Sequence, residues 1–221
     1  MKLTLEGVKN NPFINNFIKQ TETYLSAIGY TDHGFRHVNI VADRCRSLAK
    51  TLGLSAHDCE LAAIAGYCHD MGNYLGRTQH HYWAAMLFSQ IFIPEGDPPD
   101  ISRVAQAIVS HDKNELKIVD KISAVLIIAD KSDVHRDRVI RRDHNDFEQD
   151  IHDRVNFAAI SNSLKINKLR KQIILKITID TKQAKPMDYF EIFSDSMTFC
   201  RIAAHYLGYR FVLVINNFKL S

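Results

Sequence analysis

The residues of this sequence that could do chemistry are histidines and aspartates. The chain has 11 histidines, and an aspartate directly follows His57, His69, His111 and His152. The pair at 57 is expected in the first turn of a helix and the pair at 152 in a charged segment, where both have an ordinary surface role. His69-Asp70 differs because it follows residues 61–68, which are apolar on much of a helix circumference. We therefore expect this pair inside the fold.

A second carboxylate is also expected to be buried. Asp130 directly follows the apolar run of residues 125–129. Buried charge is costly unless it is paired or bound to a metal. Asp70 and Asp130, each at the end of an apolar segment, therefore indicate a shared divalent cation.

The order of these residues resembles a known family. His37, then His69-Asp70, then Asp130 is similar to the H…HD…D pattern of the HD superfamily of metal-dependent phosphohydrolases, and so is the flanking sequence at 34–38, 68–72 and 127–130. The resemblance covers about residues 31–139. It implies that His37, His69, Asp70 and Asp130 ligate one metal, which leaves open positions for water and a phosphate oxygen.

Some branches of this family hold a second metal with further histidines. The resemblance suggests His80 and His111 for that role, and His80 with Ala84 and Ala85 is similar to the family's H-x-x-x-G-A segment. Because successive helical residues point about 100° apart, only one of His80 and His81 is expected to face the metal. Asp112 is an alternative ligand. His33 is either an additional ligand or, as we favour, a loop residue before the next helix.

The sequence departs from the family at Asn73, where many members have a lysine three residues after the HD aspartate. A positive charge for the phosphate would then come from Arg77, Lys131 or Arg36. The glycine-rich signature of the cyclic-dinucleotide branch does not follow His111.

The elements that must position these residues are predicted to be helices. Apolar periodicity and capping residues predict helices over about 11–29, 34–52, 55–69, 79–92, 100–111 with Asp100 as its cap, and 119–133. The run at 125–129 alone would also suit a buried strand. The charged segment 135–153 is predicted to be an exposed helix. The prediction is a mainly α fold, with an HD-type helical bundle at residues 1–160.

The pattern changes after residue 161. Residues 171–180 alternate between apolar and polar, as in a half-buried strand. A helix is predicted from Pro186 to Leu207 and a second strand over residues 210–218. Residues 161–221 are therefore predicted to form a small β-α-β appendage packed on the bundle. Its strands would pair with each other or with a second copy in a homodimer.

Composition excludes several other classes. A net charge of +3 does not predict a specific nucleic-acid partner, and no apolar run is long enough to span a bilayer. The four cysteines form no C-x-x-C pair, which suggests reduced, mostly buried thiols. With no signal peptide recognised, we expect a cytoplasmic protein without a membrane partner.

The functional hypothesis is a metal-dependent phosphohydrolase, either a phosphomonoesterase or a phosphodiesterase. It would act on a nucleotide or other small phosphate ester through a metal-activated water. One or two divalent ions are expected, and Mn, Fe, Co, Ni, Zn and Mg are not distinguished. Asp70 is the predicted catalytic residue, which would orient or deprotonate the water. Two alternatives remain open: a di-iron oxygenase of the same fold and a non-catalytic nucleotide sensor.

Overall fold

The computed structural model describes residues 3–112, 117–140 and 150–220. Most of the described chain is helical, and the predicted mainly α fold is confirmed. The helices are α1 Leu5–Lys9, α2 Pro12–Ala27, α3 Phe35–Thr51, α4 Ala56–Cys68, α5 His80–Phe92, α6 Pro98–Ser110, α7 Lys121–Lys131, α8 Ile151–Ala158 and α9 Pro186–Tyr206. The strands are β1 Ala159–Asn167, β2 Gln172–Ile179, β3 Arg210–Ile215 and β4 Phe218–Lys219.

Helix α4 is the centre of the helical bundle. Residues 61–68 are all buried, and the helix packs against α3, α6 and α7. Gly66 allows a close approach to α3, because a Cβ at this position would lie 3.0 Å from the Ala42 Cα atom. This packing places the start of α3 beside the end of α4, which are the two elements that carry His37 and the His69-Asp70 pair.

Helix α7 is the second buried helix. Asp120 caps it by accepting a hydrogen bond from the Ile122 backbone N–H at 2.7 Å. Residues 122–129 are all buried, so the apolar run at 125–129 belongs to a helix, and the alternative of a buried strand is wrong. Asp130 lies in the last turn, where the helix reaches the same side of the bundle as the end of α4.

Two helix predictions need correction. The cap of α6 is Asp97, and the predicted cap Asp100 lies inside the first turn, where it accepts a hydrogen bond from His57 Nε2 at 2.7 Å. The single exposed helix predicted at 135–153 is also wrong. A short 3-10 turn occupies Arg136–Arg138, and α8 begins only after Asp150, whose carboxylate accepts the His152 backbone N–H. Residues 141–149 of that prediction lie outside the described residues.

The C-terminal part contains a four-stranded sheet in the order β1-β2-β3-β4. Strands β2 and β3 are parallel and α9 connects them, as the predicted β-α-β unit requires. The prediction missed β1, which pairs antiparallel with β2. It also extended the last strand too far, since the chain turns at Asn216 and Asn217, both with positive φ, before β4.

Helix α9 packs against α7 and thereby joins the sheet to the helical bundle. The chain passes from α8 into β1 at Ala159 without a loop. All four cysteines are buried free thiols, as predicted. Within the described ranges, no helix is both long and apolar enough to cross a membrane.

Candidate metal centre

Three helices bring the four predicted ligands of the first metal together. His37 Nε2 lies 3.3 Å from His69 Nε2, 3.5 Å from Asp70 Oδ2 and 3.4 Å from Asp130 Oδ1. His69 Nε2 lies 3.3 Å from Asp70 Oδ2 and 3.6 Å from Asp130 Oδ1. Ligands bound to one ion at about 2.1 Å with right-angled or tetrahedral separation lie about 3.0–3.4 Å apart. The spacing of these atoms therefore suits a single cation.

The other carboxylate oxygen of Asp70 faces a second group of donors. His80 Nε2 lies 3.2 Å from Asp70 Oδ1 and 3.2 Å from His111 Nε2. His111 Nε2 is 3.8 Å from Asp70 Oδ1, and Asp112 Oδ2 is 3.8 Å from His80 Nε2. Asp70 is thus shared by two donor groups, one on each oxygen, and both groups could hold a metal.

The orientation of the four imidazoles supports this interpretation. Each Nδ1 atom lies against an oxygen acceptor, so in the neutral ring the hydrogen is on Nδ1 and the Nε2 lone pair points toward the site. Lone pairs held 3.2–3.3 Å apart repel each other unless a proton or a metal ion lies between them. The acceptors are Asp133 Oδ2 for His37 at 2.8 Å, Gly66 O for His69 at 2.8 Å, Arg77 O for His80 at 3.0 Å and Ile108 O for His111 at 2.6 Å.

The electrostatics of the site also favour a cation. His37, His69, Asp70 and Asp130 are all buried. Burial lowers the pKa of His69, but the carboxylates of Asp70 and Asp130 outweigh it and raise this pKa to about 10. Burial acts in the opposite direction on the two carboxylates, yet their basic neighbours hold both pKa values well below the usual range. The carboxylates stay ionised and attract positive charge.

Lys131 supplies one positive charge at the edge of the site. Its ammonium lies 3.1 Å from Asp130 Oδ2 and 3.2 Å from Asp112 Oδ1. Burial alone would raise the pKa of Asp112, but Lys131 lowers it to about 2. Burial together with His69 and His80 lowers the pKa of His111 to about 3, so that imidazole is neutral and able to act as a ligand at neutral pH.

A cavity of about 480 Å³ opens onto these groups. Asp70, His80, His111 and Asp130 line it from the helical bundle. Of the three cationic side chains proposed for phosphate binding, Lys131 and Arg77 line the cavity. Arg36 does not line it; its guanidinium lies 3.1 Å from Asp133 and 3.5 Å from Asp32.

Asn73, where many family members have lysine, orients the shared aspartate. Its amide donates to the Asp70 backbone oxygen and to Asp70 Oδ1, both at 2.9 Å. Its own oxygen accepts a hydrogen bond from Arg77 Nη1 at 2.9 Å. Asn73 therefore positions both a donor carboxylate and a cationic side chain of the cavity.

His33 and His81, which the sequence left as possible ligands, lie next to the site but belong to none of the donor groups formed by the described residues. His33 is a loop residue, as favoured from the sequence. Its Nδ1 atom contacts Thr31 O at 2.6 Å and its Nε2 atom contacts Arg138 Nη2 at 3.1 Å. His80 faces the donors, whereas the His81 ring stacks edge-on against His80 at 5.5 Å.

Sequence reasoning missed Asp133 and Arg138. Asp133 is buried and holds His37 through its Nδ1 atom. Arg138 donates to the backbone oxygens of Asp32 and Asp133 and so ties the loop before α3 to the segment after α7. The sequence could have indicated Asp133, because it is a second aspartate only three residues after the predicted ligand Asp130. Nothing in the sequence indicates the role of Arg138.

Comparison with known proteins agrees with this geometry. Residues 34–136, slightly less than half of the chain, match the family model of the HD domain, which is the family that the sequence motifs resemble. The uncharacterized protein MJ1020 of Methanocaldococcus jannaschii is 26% identical over 160 residues. That match covers 62% of this chain and 61% of the relative, so the chain spans about three fifths of the length of this relative.

Proposed function

We propose that this protein is a metal-dependent phosphohydrolase that acts on a nucleotide or a similar small phosphate ester. The observation that carries the proposal is the pair of donor groups joined by Asp70, with four imidazole lone pairs directed inward. His37, His69, Asp70 Oδ2 and Asp130 would hold one divalent ion. Asp70 Oδ1, His80 and His111 would hold a second, with Asp112 close by.

A bound divalent cation supplies Lewis acidity toward a phosphate oxygen and makes water a better nucleophile at neutral pH. The side chains of the protein would orient the reacting groups and exclude other water. Asp70, held by Asn73, would accept a hydrogen bond from the attacking water and orient it toward phosphorus. Burial of the site would exclude other water and strengthen these electrostatic interactions.

The phosphate would be neutralised by the cations that line the cavity. Lys131 lies between Asp130 and Asp112 and would offer one N–H to a phosphate oxygen. Arg77 is held by Asn73 Oδ1 and would offer a second donor. A cavity of about 480 Å³ lies within the range of about 300–1,000 Å³ that is typical of pockets for small-molecule ligands.

The test compares two histidines that are both followed by aspartate. His69→Gln removes a proposed ligand, whereas His57→Gln alters a partly exposed histidine that pairs with Asp100 outside the site. Both variants and the wild type would be purified without chelator. Metal content would be measured by elemental analysis, and hydrolysis assayed on a nucleotide panel and on p-nitrophenyl phosphate.

We expect one or two metal ions per wild-type chain and hydrolysis that requires them. His69→Gln should lose metal and activity together, while His57→Gln should keep both. A third variant, His80→Gln, should lose only the second ion. Stoichiometric iron without phosphatase activity would instead support the di-iron oxygenase, and tight nucleotide binding without turnover would support a sensor. Wild-type protein that binds no metal under any supplementation would refute the proposal.

A further inference from the structure

The cavity has a second wall that the metal centre does not use. Helix α8 contributes His152 and Asn156 to it, and α9 contributes Ile192, Phe193 and Ser196. These residues follow the segment that matches the HD domain, which ends at residue 136. The C-terminal part of the chain therefore forms part of the same cavity as the proposed catalytic groups, and it adds both apolar and polar surface.

Asn156 is the unusual residue of this wall. It is one of the residues that line the cavity, although only 3% of the residue is exposed. The Nδ2 group donates to the His152 backbone oxygen at 2.9 Å, which fixes the orientation of the amide. The Oδ1 atom is buried and has no hydrogen-bond partner among the residues that the structure describes. Buried side-chain acceptors in native proteins nearly always have a partner, so this one requires an explanation.

We propose that Asn156 is a specificity-determining residue that accepts a hydrogen bond from a donor on the organic group of the phosphate ester. The donor would be the amino group of a nucleobase or a hydroxyl group of a sugar. Ile192 and Phe193 would contact the apolar surface of the same group. This inference rests on the proposed phosphohydrolase function and assigns the leaving-group side of that site to the wall formed by α8 and α9.

The experiment measures kcat/KM on pairs of esters that differ in one donor. AMP and purine riboside 5′-monophosphate differ only in the amino group of the base, and ribose 5-phosphate and 2-deoxyribose 5-phosphate differ in one hydroxyl. p-Nitrophenyl phosphate has no donor on its leaving group and reports the phosphohydrolase reaction alone. The variants are Asn156→Ala, which removes the acceptor, and Asn156→Asp, which keeps one. Arg154→Ala is the control on the same helix, since Arg154 faces Asp188 at 3.9 Å and does not line the cavity.

We expect the wild type to prefer the donor-bearing member of at least one pair by about tenfold, because a site built to hydrogen-bond a group rejects the analogue that lacks it. In Asn156→Ala this preference should fall to less than about twofold, with activity on p-nitrophenyl phosphate retained. Asn156→Asp and Arg154→Ala should keep the preference. The pair that responds identifies the donor as the base amino group or the sugar hydroxyl.

A uniform loss on all substrates in Asn156→Ala, or an unchanged preference, would overturn the assignment. Circular dichroism of each variant would separate this result from unfolding, and Asn156→Asp provides the second, near-isosteric variant. If the wild type hydrolyses none of the esters, including p-nitrophenyl phosphate, the proposed function fails on its own. The same pairs would then be compared by calorimetric binding, where loss of discrimination in Asn156→Ala still supports the role of Asn156 and its persistence refutes it.

Discussion

Replacement of Asp133 by asparagine should weaken metal binding even though Asp133 is not a proposed ligand. Its Oδ2 atom accepts hydrogen bonds from His37 Nδ1 at 2.8 Å and from Arg36 Nη1 at 3.1 Å. Its Oδ1 atom faces Arg36 Nη2 at 3.4 Å. An asparagine keeps one acceptor and turns its NH₂ group toward one of these donors. The negative charge that holds the His37 imidazole with its Nε2 lone pair toward the site is lost as well.

The magnitude follows from comparable metal sites. Loss of the hydrogen-bond partner of a metal-bound histidine typically costs 10–100-fold in metal affinity, or about 1.4–2.7 kcal/mol. Asp133 is almost fully buried and its bond to His37 is short, so we expect a value within this range. Burial raises the pKa of Asp133, but His37, Arg138 and Arg36 hold it below the usual range. The lost charge is therefore present at neutral pH.

The assay is a competition titration of Mn²⁺ or Zn²⁺ against a chromophoric chelator at pH 7. Asp100→Asn is the matched control, because Asp100 accepts a hydrogen bond from His57 at 2.7 Å in an equivalent pair outside the site. We expect weaker metal binding in Asp133→Asn and unchanged affinity in Asp100→Asn. Equal affinities for wild type and a folded Asp133→Asn would refute the argument that Asp133 orients a metal ligand.

Two further predictions concern stability. Burial and the neighbouring Arg138 hold the pKa of His33 well below 6.5, so the unfolded state binds the proton first and the folded state loses stability as pH falls below about 6.5. The decrease in Tm between pH 7 and pH 5 should be smaller in His33→Gln than in wild type, and an equal decrease would contradict this account. Leu126→Ala should lower the free energy of unfolding by about 2–5 kcal/mol in urea denaturation, because Leu126 is fully buried in α7. Leu169→Ala, at a residue that is 99% exposed, should change it by less than about 0.5 kcal/mol, and similar values for the two variants would show that the assumed core is wrong.

The sequence was most informative where apolar helices end in charged residues. His69-Asp70 could be separated from the pairs at 57 and 152 because the apolar residues 61–68 predicted a buried helix and therefore a buried carboxylate beside it. The same reasoning identified Asp130, which comes directly after the apolar residues 125–129. In both cases the apolar pattern of a helix predicts that the helix is buried, and a buried carboxylate beside it requires a paired positive charge or a metal ion.

The choice between His80 and His81 could not be made in the same way. Both residues are buried, and only the packing of α5 against α6 brings His80 rather than His81 opposite His111. Asp133 lies beyond the end of α7, where no helical period predicts its direction. The strand β1 was missed because its own alternation of buried and exposed residues is weak, whereas its pairing with β2 is a tertiary contact that no local pattern predicts. A second copy of the chain as a partner stays a prediction.

The sequence by itself determined the resemblance to the HD domain, the mainly helical class, the buried helices α4 and α7 and the candidate ligands near their ends. These properties depend on local patterns of polarity, which a chain carries whatever its final packing. Only the tertiary structure decided that Asp133 contacts His37, that Asn73 contacts Asp70, and that α8 and α9 bring Asn156 to the cavity. The contact of Asp133 with His37 and the place of Asn156 beside Asp70 in the cavity lining join segments far apart in the chain. They therefore depend on how whole elements pack against each other, which no local pattern encodes.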